Sequence, residues 1–233
     1  MSQPLPVRAG TTSAVVFDFD GVLADTEGLH LRAFQHVFAG RSWPLDHAVY
    51  FDRYLGYDDR GLVVAYAGDR GLDLDADEVR NLVEAKGHVF AGYLQAGNVL
   101  FGGAADCVRA LAEHYTLGIA SGALRAEILA ILDAAGLTSA FRVIVAADDV
   151  TACKPSPMPY LSAAAGLGVE PRHCVAVEDS PAGLEAARAA GMQTVGVTTT
   201  LPRHLLAGAD RIIDSLRDLS PALVAGLGGQ PPV

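Results

Sequence analysis

Short apolar runs alternate with helix-like segments along most of the chain. Two of those segments, LRAEILAILDAAG and SPAGLEAARAAG, end in glycine, a common helix terminator. This alternation predicts an α/β fold with a doubly wound, mostly parallel sheet that helices cover on both faces. The five runs with the length and composition of strands are AVVFDFD (14–20), YTLGIASG (115–122), RVIVAADDV (142–150), HCVAVEDS (173–180) and MQTVGVTTT (192–200).

The stretch between the first two runs breaks this alternation. From about Asp25 to Gly97 the pattern is helical, as in LHLRAFQHVFAG and DADEVRNLVEAKGHVFAGYL, and no segment in it has a convincing strand pattern. We therefore expect a helical domain, residues 25–97, inserted after the first strand of an α/β core that comprises residues 1–24 and 98–233.

Polar and charged residues stand where the predicted strands end. In an open parallel sheet the carboxyl ends of the strands meet at one edge, and ligands bind there. Asp148 and Asp149 also follow a strand, and we interpret them as a solvated or capping pair outside the site. The residues expected at the edge are Asp18, Asp20, Ser121, Gly122, Lys154, Glu178 and Asp179.

Two aspartates one residue apart at the end of an apolar strand require compensation. A buried carboxylate is costly unless it is paired, hydrogen-bonded or bound to metal, and two neighbouring carboxylates repel each other. Residues i and i+2 of a strand point to the same side, so Asp18 and Asp20 can share one target. Hard oxygen ligands suit Mg²⁺, and a carboxylate can attack phosphorus while a second one transfers the proton. The pattern therefore favours Mg²⁺-dependent chemistry on a phosphate ester.

Composition and net charge limit the kinds of molecule that the protein is expected to bind. A net charge of −10 over 233 residues argues against a nucleic-acid or anionic-membrane binder, and no apolar stretch is long enough to span a bilayer. Cys107, Cys153 and Cys174 show no metal or disulfide spacing, which favours reduced thiols. We expect a cytoplasmic enzyme that acts on a small phosphorylated metabolite and that does not require an oligomer.

Four segments together carry a specific resemblance. VVFDFDGVLADTE, IASG, CKPSPMPY and VEDSPAGLEAARAAGMQTVGV resemble, in order and spacing, the four motifs of the haloacid dehalogenase-like superfamily. The helical insert is similar to the cap of its β-phosphoglucomutase and phosphoglycolate phosphatase-like branch. The resemblance implies that Asp18 is the nucleophile, that Asp20 is the general acid and base, and that Ser121 and Lys154 bind the phosphoryl group. It implies Mg²⁺ ligands at Asp18, the backbone carbonyl of Asp20, Glu178 and Asp179.

The cap supplies further candidate substrate-binding residues by the same resemblance. Glu27 and His30 follow the first motif in the pattern DTExxH. Arg60 lies in YLGYDDRGL, which is similar to a loop that reaches over the active site in these enzymes, and Gly56 in it allows a turn. Lys86, in EAKGHVF, corresponds by the resemblance to a lysine of the cap that faces the active site in this branch. With Gly122, these are the residues expected to contact substrate.

Members of the superfamily catalyse several reactions, and the sequence favours some of these over others. A dehalogenase or a phosphonatase of the superfamily would lack the second aspartate, so Asp20 disfavours both. A β-phosphoglucomutase-type mutase stays as the alternative, but its Ser-x-Ser-Lys-Asn pattern is SGALR here, which favours simple hydrolysis. A non-catalytic regulator that binds a phosphorylated ligand is a third hypothesis. Such a relative would be expected to have lost Asp18 or Asp20, and both are present. The expectation is a Mg²⁺-dependent phosphatase.

Overall fold

The computed structural model describes residues 12–55, 57–94 and 99–227. They fall into two compact units, one formed by Thr26–Val99 and the other by the described parts of Met1–Asp25 and Leu100–Val233. The sequence placed the divisions after residues 24 and 97, whereas the contacts within the chain divide it after Asp25 and Val99.

The larger unit is built on one six-stranded sheet in the order β3-β2-β1-β4-β5-β6, with every neighbouring pair parallel. This confirms the predicted α/β class. The sixth strand was missed because it is a three-residue edge strand that begins with an exposed arginine and has no apolar run. The strands are β1 (Ala14–Phe17), β2 (Thr116–Ala120), β3 (Phe141–Val145), β4 (Cys174–Glu178), β5 (Gln193–Val197) and β6 (Arg211–Ile213).

The helices follow the expected plan, with a group between β1 and β2 and one α-helix in each connection from β2 to β5, while a 3-10 turn lies between β5 and β6. The α-helices are α1 (Glu27–Ala39), α2 (His47–Val49), α3 (Asp59–Gly68), α4 (Ala76–Leu94), α5 (Ala104–Ala112), α6 (Arg125–Ala134), α7 (Met158–Leu167), α8 (Pro181–Ala189) and α9 (Pro221–Leu227). A π-helical turn, Tyr50–Tyr54, continues α2, and short 3-10 turns lie at Thr138–Ala140, Ala147–Asp149, Pro171–His173, Arg203–Leu206 and Leu216–Asp218.

Both faces of the sheet are buried, which is why its strands are apolar throughout. Ala14 and Val16 of β1 pack in one cluster with residues of α7 and α8. Successive strand residues point to opposite faces, so Val15 and Phe17, which are also fully buried, belong to the other face. The sheet is therefore covered on both sides, as a doubly wound fold requires.

The strand order locates the point where a ligand should bind. From β1 the chain adds β2 and β3 on one side, and β4, β5 and β6 then extend the sheet on the other side. The order therefore reverses between β1 and β4, and ligands of open α/β sheets bind beyond the carboxyl ends of the strands at such a switch.

The smaller unit has a hydrophobic core of its own. Its described residues form helices α1 to α4 and contain no strand, as the sequence predicted. Aromatic rings dominate this core, with the Phe38 and Tyr66 centroids 4.5 Å apart and Trp43 packed beside both. Across the described residues of both units, no helix combines the length and the apolar character that a membrane span requires.

Candidate active site

The carboxylates after β1 and β4 converge at the switch point. Phe17 pairs with Val177 in the sheet register, and the Asp18 backbone N–H donates to the Val177 carbonyl at 2.9 Å. Asp18 and Glu178 therefore stand side by side, with Asp179 one residue further along. The carboxylates of Asp18, Glu178 and Asp179 each place an oxygen within 4.8 Å of the others, and all three residues are buried.

Lys154 is the cation at the centre of this cluster. Its Nζ lies 2.6 Å from Asp18 Oδ1 and 2.5 Å from Glu178 Oε1. Burial alone would lower the pKa of Lys154, but the Asp18 and Glu178 carboxylates outweigh that effect and hold the pKa above its ordinary value. The lysine therefore stays charged and bridges strands β1 and β4.

One lysine does not balance three carboxylates. The pKa of Asp18 is raised to about 7, because burial, the largest cause, and the Glu178 charge together outweigh the opposing Lys154 charge. Burial together with the charges of Asp18 and Glu178 raises the pKa of Asp179 well above its usual range. When ionised, three buried carboxylates with a single ammonium carry excess negative charge, which is why these pKa values are raised, and they present only hard oxygen donors. That donor set fits a divalent cation such as Mg²⁺.

Asp20 lies in a tight turn after the strand. Leu23 and Ala24 donate backbone N–H groups to the Phe19 carbonyl at 2.9 and 3.0 Å, and this turn holds Asp20 half-buried. The charge of Asp20 contributes to the raised pKa of Asp18, so the two carboxylates act on each other electrostatically. The two aspartates at the end of the first strand therefore lie close enough to influence each other's protonation.

Two glycines let the backbone approach the acid cluster. Gly21 has φ +77°, in the left-handed region, and a Cβ there would overlap the Asp179 carboxylate. A Cβ on Gly183, in the first turn of α8, would overlap the Glu178 carboxylate. Sequence analysis assigned neither residue to the site, although both lie in the quoted motifs.

Ser121 reaches the same edge from β2. Phe17 at the end of β1 pairs with Ile119, and Ser121 follows two residues later, directly after β2. Ser121 is buried, and its Oγ accepts the Ala123 N–H at 3.0 Å, which leaves the hydroxyl proton for a ligand oxygen. Gly122 is exposed. This pair suits phosphoryl oxygens, and the binding of substrate by Ser121 and Gly122 stays a prediction.

Asp148 and Asp149 are capping residues, but they also brace the Ser121 loop. Asp149 forms an ion pair with Arg125 and accepts the Ala146 N–H, while Asp148 accepts the Arg125 backbone N–H at 3.0 Å. Arg125 Nη2 also donates to the Ile144 carbonyl at 2.6 Å. The SGALR segment is therefore tied to the loop after β3. Arg125 and Asp149 are 24 residues apart, so nothing in the sequence indicates that they meet.

The loop after β5 supports the cluster with hydroxyl groups that sequence analysis did not assign. The Thr200 hydroxyl forms a hydrogen bond with the Asp179 side chain, and the Thr199 hydroxyl donates to the Gly21 carbonyl. Both belong to the threonine run that ends the fifth apolar segment.

The smaller unit contains a second buried cation. Lys86 is fully buried in α4, and its Nζ lies 2.8 Å from Asp59 Oδ2 and 2.6 Å from His30 Nδ1. Burial and the Lys86 charge lower the pKa of His30 well below its usual value. Because an ammonium can only donate, the neutral His30 ring accepts at Nδ1 and carries its proton on Nε2. Asp59 is thus a member of this group that sequence analysis missed, although it lies in the quoted YLGYDDRGL.

The other residues predicted in this unit differ in their surroundings. Glu27 accepts a hydrogen bond from the Tyr50 hydroxyl at 2.8 Å, which gives it a structural role. Arg60 is exposed on α3. Gly56 lies outside the described residues. Whether Glu27, His30, Arg60 and Lys86 contact substrate stays a prediction.

Comparison with known proteins agrees with the fold and the motifs. Residues 15–197 match the family model for haloacid dehalogenase-like hydrolases. The chain belongs to this family. It is 30% identical to the phosphoglycolate phosphatase of Salmonella typhimurium over 90% of this chain and 91% of that protein. It is 29% identical to the β-phosphoglucomutase of Bacillus subtilis over 91% of this chain and 93% of that one.

A solved structure from the same family superposes on most of the chain. It is a variant of CbbY from Rhodobacter sphaeroides in complex with xylulose-(1,5)bisphosphate. The TM-score is 0.82 and the identity 31%, over 92% of this chain and 99% of that one. The Rossmann-like α/β fold with its helical insert is therefore shared with proteins of the branch that the motifs indicated.

The overlap at Gly183 predicts a loss of stability where helix propensity alone predicts a gain. Alanine in a helix is normally favoured over glycine by about 1 kcal/mol. We expect Gly183→Ala instead to lower the free energy of unfolding by about 1–3 kcal/mol, because the new methyl group displaces Glu178. The matched control is Gly87→Ala in α4, where a Cβ meets nothing within 4 Å and should stabilise. Equal stabilisation of both variants in urea unfolding would contradict this geometry.

Because Lys86 is buried, removing its carboxylate partner alone should lower the stability more than removing both charges. Asp59→Asn leaves the ammonium without its carboxylate and should destabilise the protein by roughly 3 kcal/mol. Adding Lys86→Met should recover most of that loss, because methionine fills similar space without a charge. Urea unfolding of the two variants measures both values. If Asp59→Asn stays within about 0.5 kcal/mol of wild type, the pair behaves as an exposed one.

Proposed function

We propose that this enzyme is a Mg²⁺-dependent phosphatase that hydrolyses the monoester of a small phosphorylated metabolite through an aspartyl-phosphate on Asp18. Its membership of the hydrolase family and its phosphatase relative support a phosphoric monoester hydrolase. The observation that carries the proposal is the buried cluster of Asp18, Glu178, Asp179 and Lys154 at the topological switch point.

The proposed reaction has two displacements at phosphorus. In the first, an Asp18 carboxylate oxygen bonds to phosphorus, the ester P–O bond breaks with its electron pair on the leaving oxygen, and Asp20 gives that oxygen a proton. In the second, Asp20 takes a proton from water as the water oxygen bonds to phosphorus. The bond from phosphorus to Asp18 then breaks, which releases inorganic phosphate and restores both aspartates.

The remaining residues hold the phosphoryl oxygens and balance charge. Lys154 supplies an ammonium already directed at Asp18, and the Ser121 hydroxyl and neighbouring N–H groups donate to non-bridging oxygens. Asp18, Glu178 and Asp179, with the backbone carbonyl of Asp20, are the groups proposed to hold Mg²⁺. When bound, the ion offsets the excess negative charge and polarises the phosphoryl group as a Lewis acid.

The substrate class is proposed from the relatives and from the smaller unit. A related CbbY variant is solved with a sugar bisphosphate, and the two curated relatives are named for phosphorylated small molecules. In this chain, we propose that Glu27, His30, Arg60 and Lys86 contribute to substrate recognition. His30 offers a neutral N–H donor suited to a sugar hydroxyl, and the exposed guanidinium of Arg60 suits a second anionic group.

Hydrolysis is favoured over phosphoryl transfer to a second sugar position. The segment after Ser121 lacks the Ser-Lys-Asn groups expected of the mutase, and its only charged residue, Arg125, is engaged with Asp149 and the Ile144 carbonyl. Nothing in that segment supplies the extra polar groups that rebinding a bisphosphate intermediate requires.

Phosphate release tests the proposal directly. Wild type should release inorganic phosphate from at least one member of a panel of sugar phosphates, sugar bisphosphates and phosphoglycolate when Mg²⁺ is present, and chelation should stop it. Asp18→Asn should abolish release, and Asp20→Asn should lower kcat by about 10²–10⁴-fold because proton transfer is lost. The matched control is Asp106→Asn, whose side chain is 91% exposed on α5 and which should retain full activity.

Two outcomes would contradict the phosphatase. One is that no compound releases phosphate, with isomerised hexose phosphate found instead, which would establish the mutase. The other is unchanged release by Asp18→Asn, which would exclude the aspartyl-phosphate. Mass spectrometry of the quenched wild-type reaction should show a phosphoryl group on the peptide that contains Asp18.

A further inference from the structure

The Glu178 carboxylate receives more hydrogen-bond donors than a metal ligand alone would need. The residue is fully buried at the end of β4. Its Oε1 accepts from Lys154 Nζ at 2.5 Å and from the Tyr160 hydroxyl at 2.7 Å. Its Oε2 accepts the Asp179 N–H at 3.1 Å, the Ser180 N–H at 3.4 Å and the Ser180 hydroxyl at 3.1 Å. Both oxygens are therefore engaged within the protein.

Tyr160 is the donor in this set that has no assigned role: it ends the quoted segment CKPSPMPY, but neither the resemblance nor the proposed reaction uses its side chain. It is the third residue of α7 and is fully buried. Besides the hydrogen bond to Glu178, its ring centroid lies 5.2 Å from Lys154 Nζ, within cation–π distance. The phenol carries its proton at neutral pH and donates it to the Glu178 carboxylate. One side chain thus contacts both members of the Lys154–Glu178 pair.

The hydroxyl restricts what Glu178 can do. A carboxylate oxygen has about two lone-pair sites, and Lys154 and Tyr160 occupy both on Oε1. With Oε1 held by two donors, Glu178 is fixed as the counter-ion of Lys154. The Lys154 ammonium is then held at a defined point, 2.6 Å from Asp18 Oδ1. Without the hydroxyl, Oε1 keeps Lys154 as its one donor, and the position of Oε1 is less restricted although Oε2 stays held.

We propose that Tyr160 is a positioning residue that acts through Glu178 to direct Lys154 at the phosphoryl group. This role rests on the proposed function, since Lys154 is there the phosphoryl-binding cation. It gives Glu178 a second task, holding Lys154, beside the metal-ligand role proposed above.

The test is Tyr160→Phe, which removes one oxygen and keeps the buried ring. The matched control is Tyr115→Phe, because the Tyr115 hydroxyl donates to the Pro221 carbonyl at 3.0 Å from the opposite end of the sheet. Three quantities are measured for each variant: Kd for inorganic phosphate by calorimetry with saturating Mg²⁺, Kd for Mg²⁺ alone, and kcat/KM. The ¹⁵N resonance of the Lys154 ammonium, assigned by its loss in Lys154→Arg, is recorded as well.

We expect Tyr160→Phe to weaken phosphate binding and to lower kcat/KM, each by about 10-fold, as for the loss of a hydrogen bond to a charged group. The affinity for Mg²⁺ should be unchanged or higher, and the Lys154 resonance should shift. Tyr115→Phe should match wild type in all of these. A merely structural tyrosine would lower the unfolding temperature without separating phosphate from Mg²⁺ affinity.

Three results would overturn the proposal. They are an unshifted Lys154 resonance, phosphate affinity equal to wild type, or phosphate and Mg²⁺ affinities that fall together. Failure of the proposed function is distinguishable from these. If wild type releases no phosphate from any compound but the Lys154 resonance still shifts and phosphate binding still weakens in Tyr160→Phe, the positioning role stands and the phosphatase does not.

Discussion

The Lys154 ammonium between Asp18 and Glu178 is the interaction on which the site depends. It lets two strands that are distant in sequence end in carboxylates at the same buried point, because each charge would otherwise be too costly to bury. Its compensation is incomplete, since Asp179 adds a third carboxylate. The residual negative charge is what makes the site suited to a divalent cation. Structural necessity and proposed chemistry therefore have the same physical origin.

The surrounding structure serves to hold these charges at short range. The reversal of strand order between β1 and β4 brings the two acidic strand ends together. Gly21 and Gly183 remove the side chains that would collide with Asp179 and Glu178. The Arg125 brace fixes the Ser121 loop to the next loop along the sheet. The smaller unit also holds a buried cation by short-range contacts: the fully buried Lys86 ammonium donates hydrogen bonds to Asp59 and to His30.

Much of this arrangement was predictable from sequence. The alternation of apolar runs and helical segments predicts the parallel sheet. Because the carboxyl ends of parallel strands lie at one edge, the acidic residues at those ends predict the acid cluster. The sixth strand escaped because Arg211–Ile213 has no apolar pattern. Partners such as Asp59, Asp149 and Tyr160 escaped for a different reason. A charged or hydroxyl residue has no periodic signal that names its partner, and only the packed structure showed which side chains meet.

The central claim is that buried negative charge creates the cation site, and a stability measurement with Asp179→Asn tests it most directly. Mg²⁺ should raise the unfolding temperature of wild type, because a ligand that binds only the native state stabilises it. Without Mg²⁺ the variant should be more stable than wild type, since a repelling carboxylate has been removed, and it should respond weakly to the ion. A wild type that is indifferent to Mg²⁺, or a variant that responds as strongly as wild type, would contradict the account.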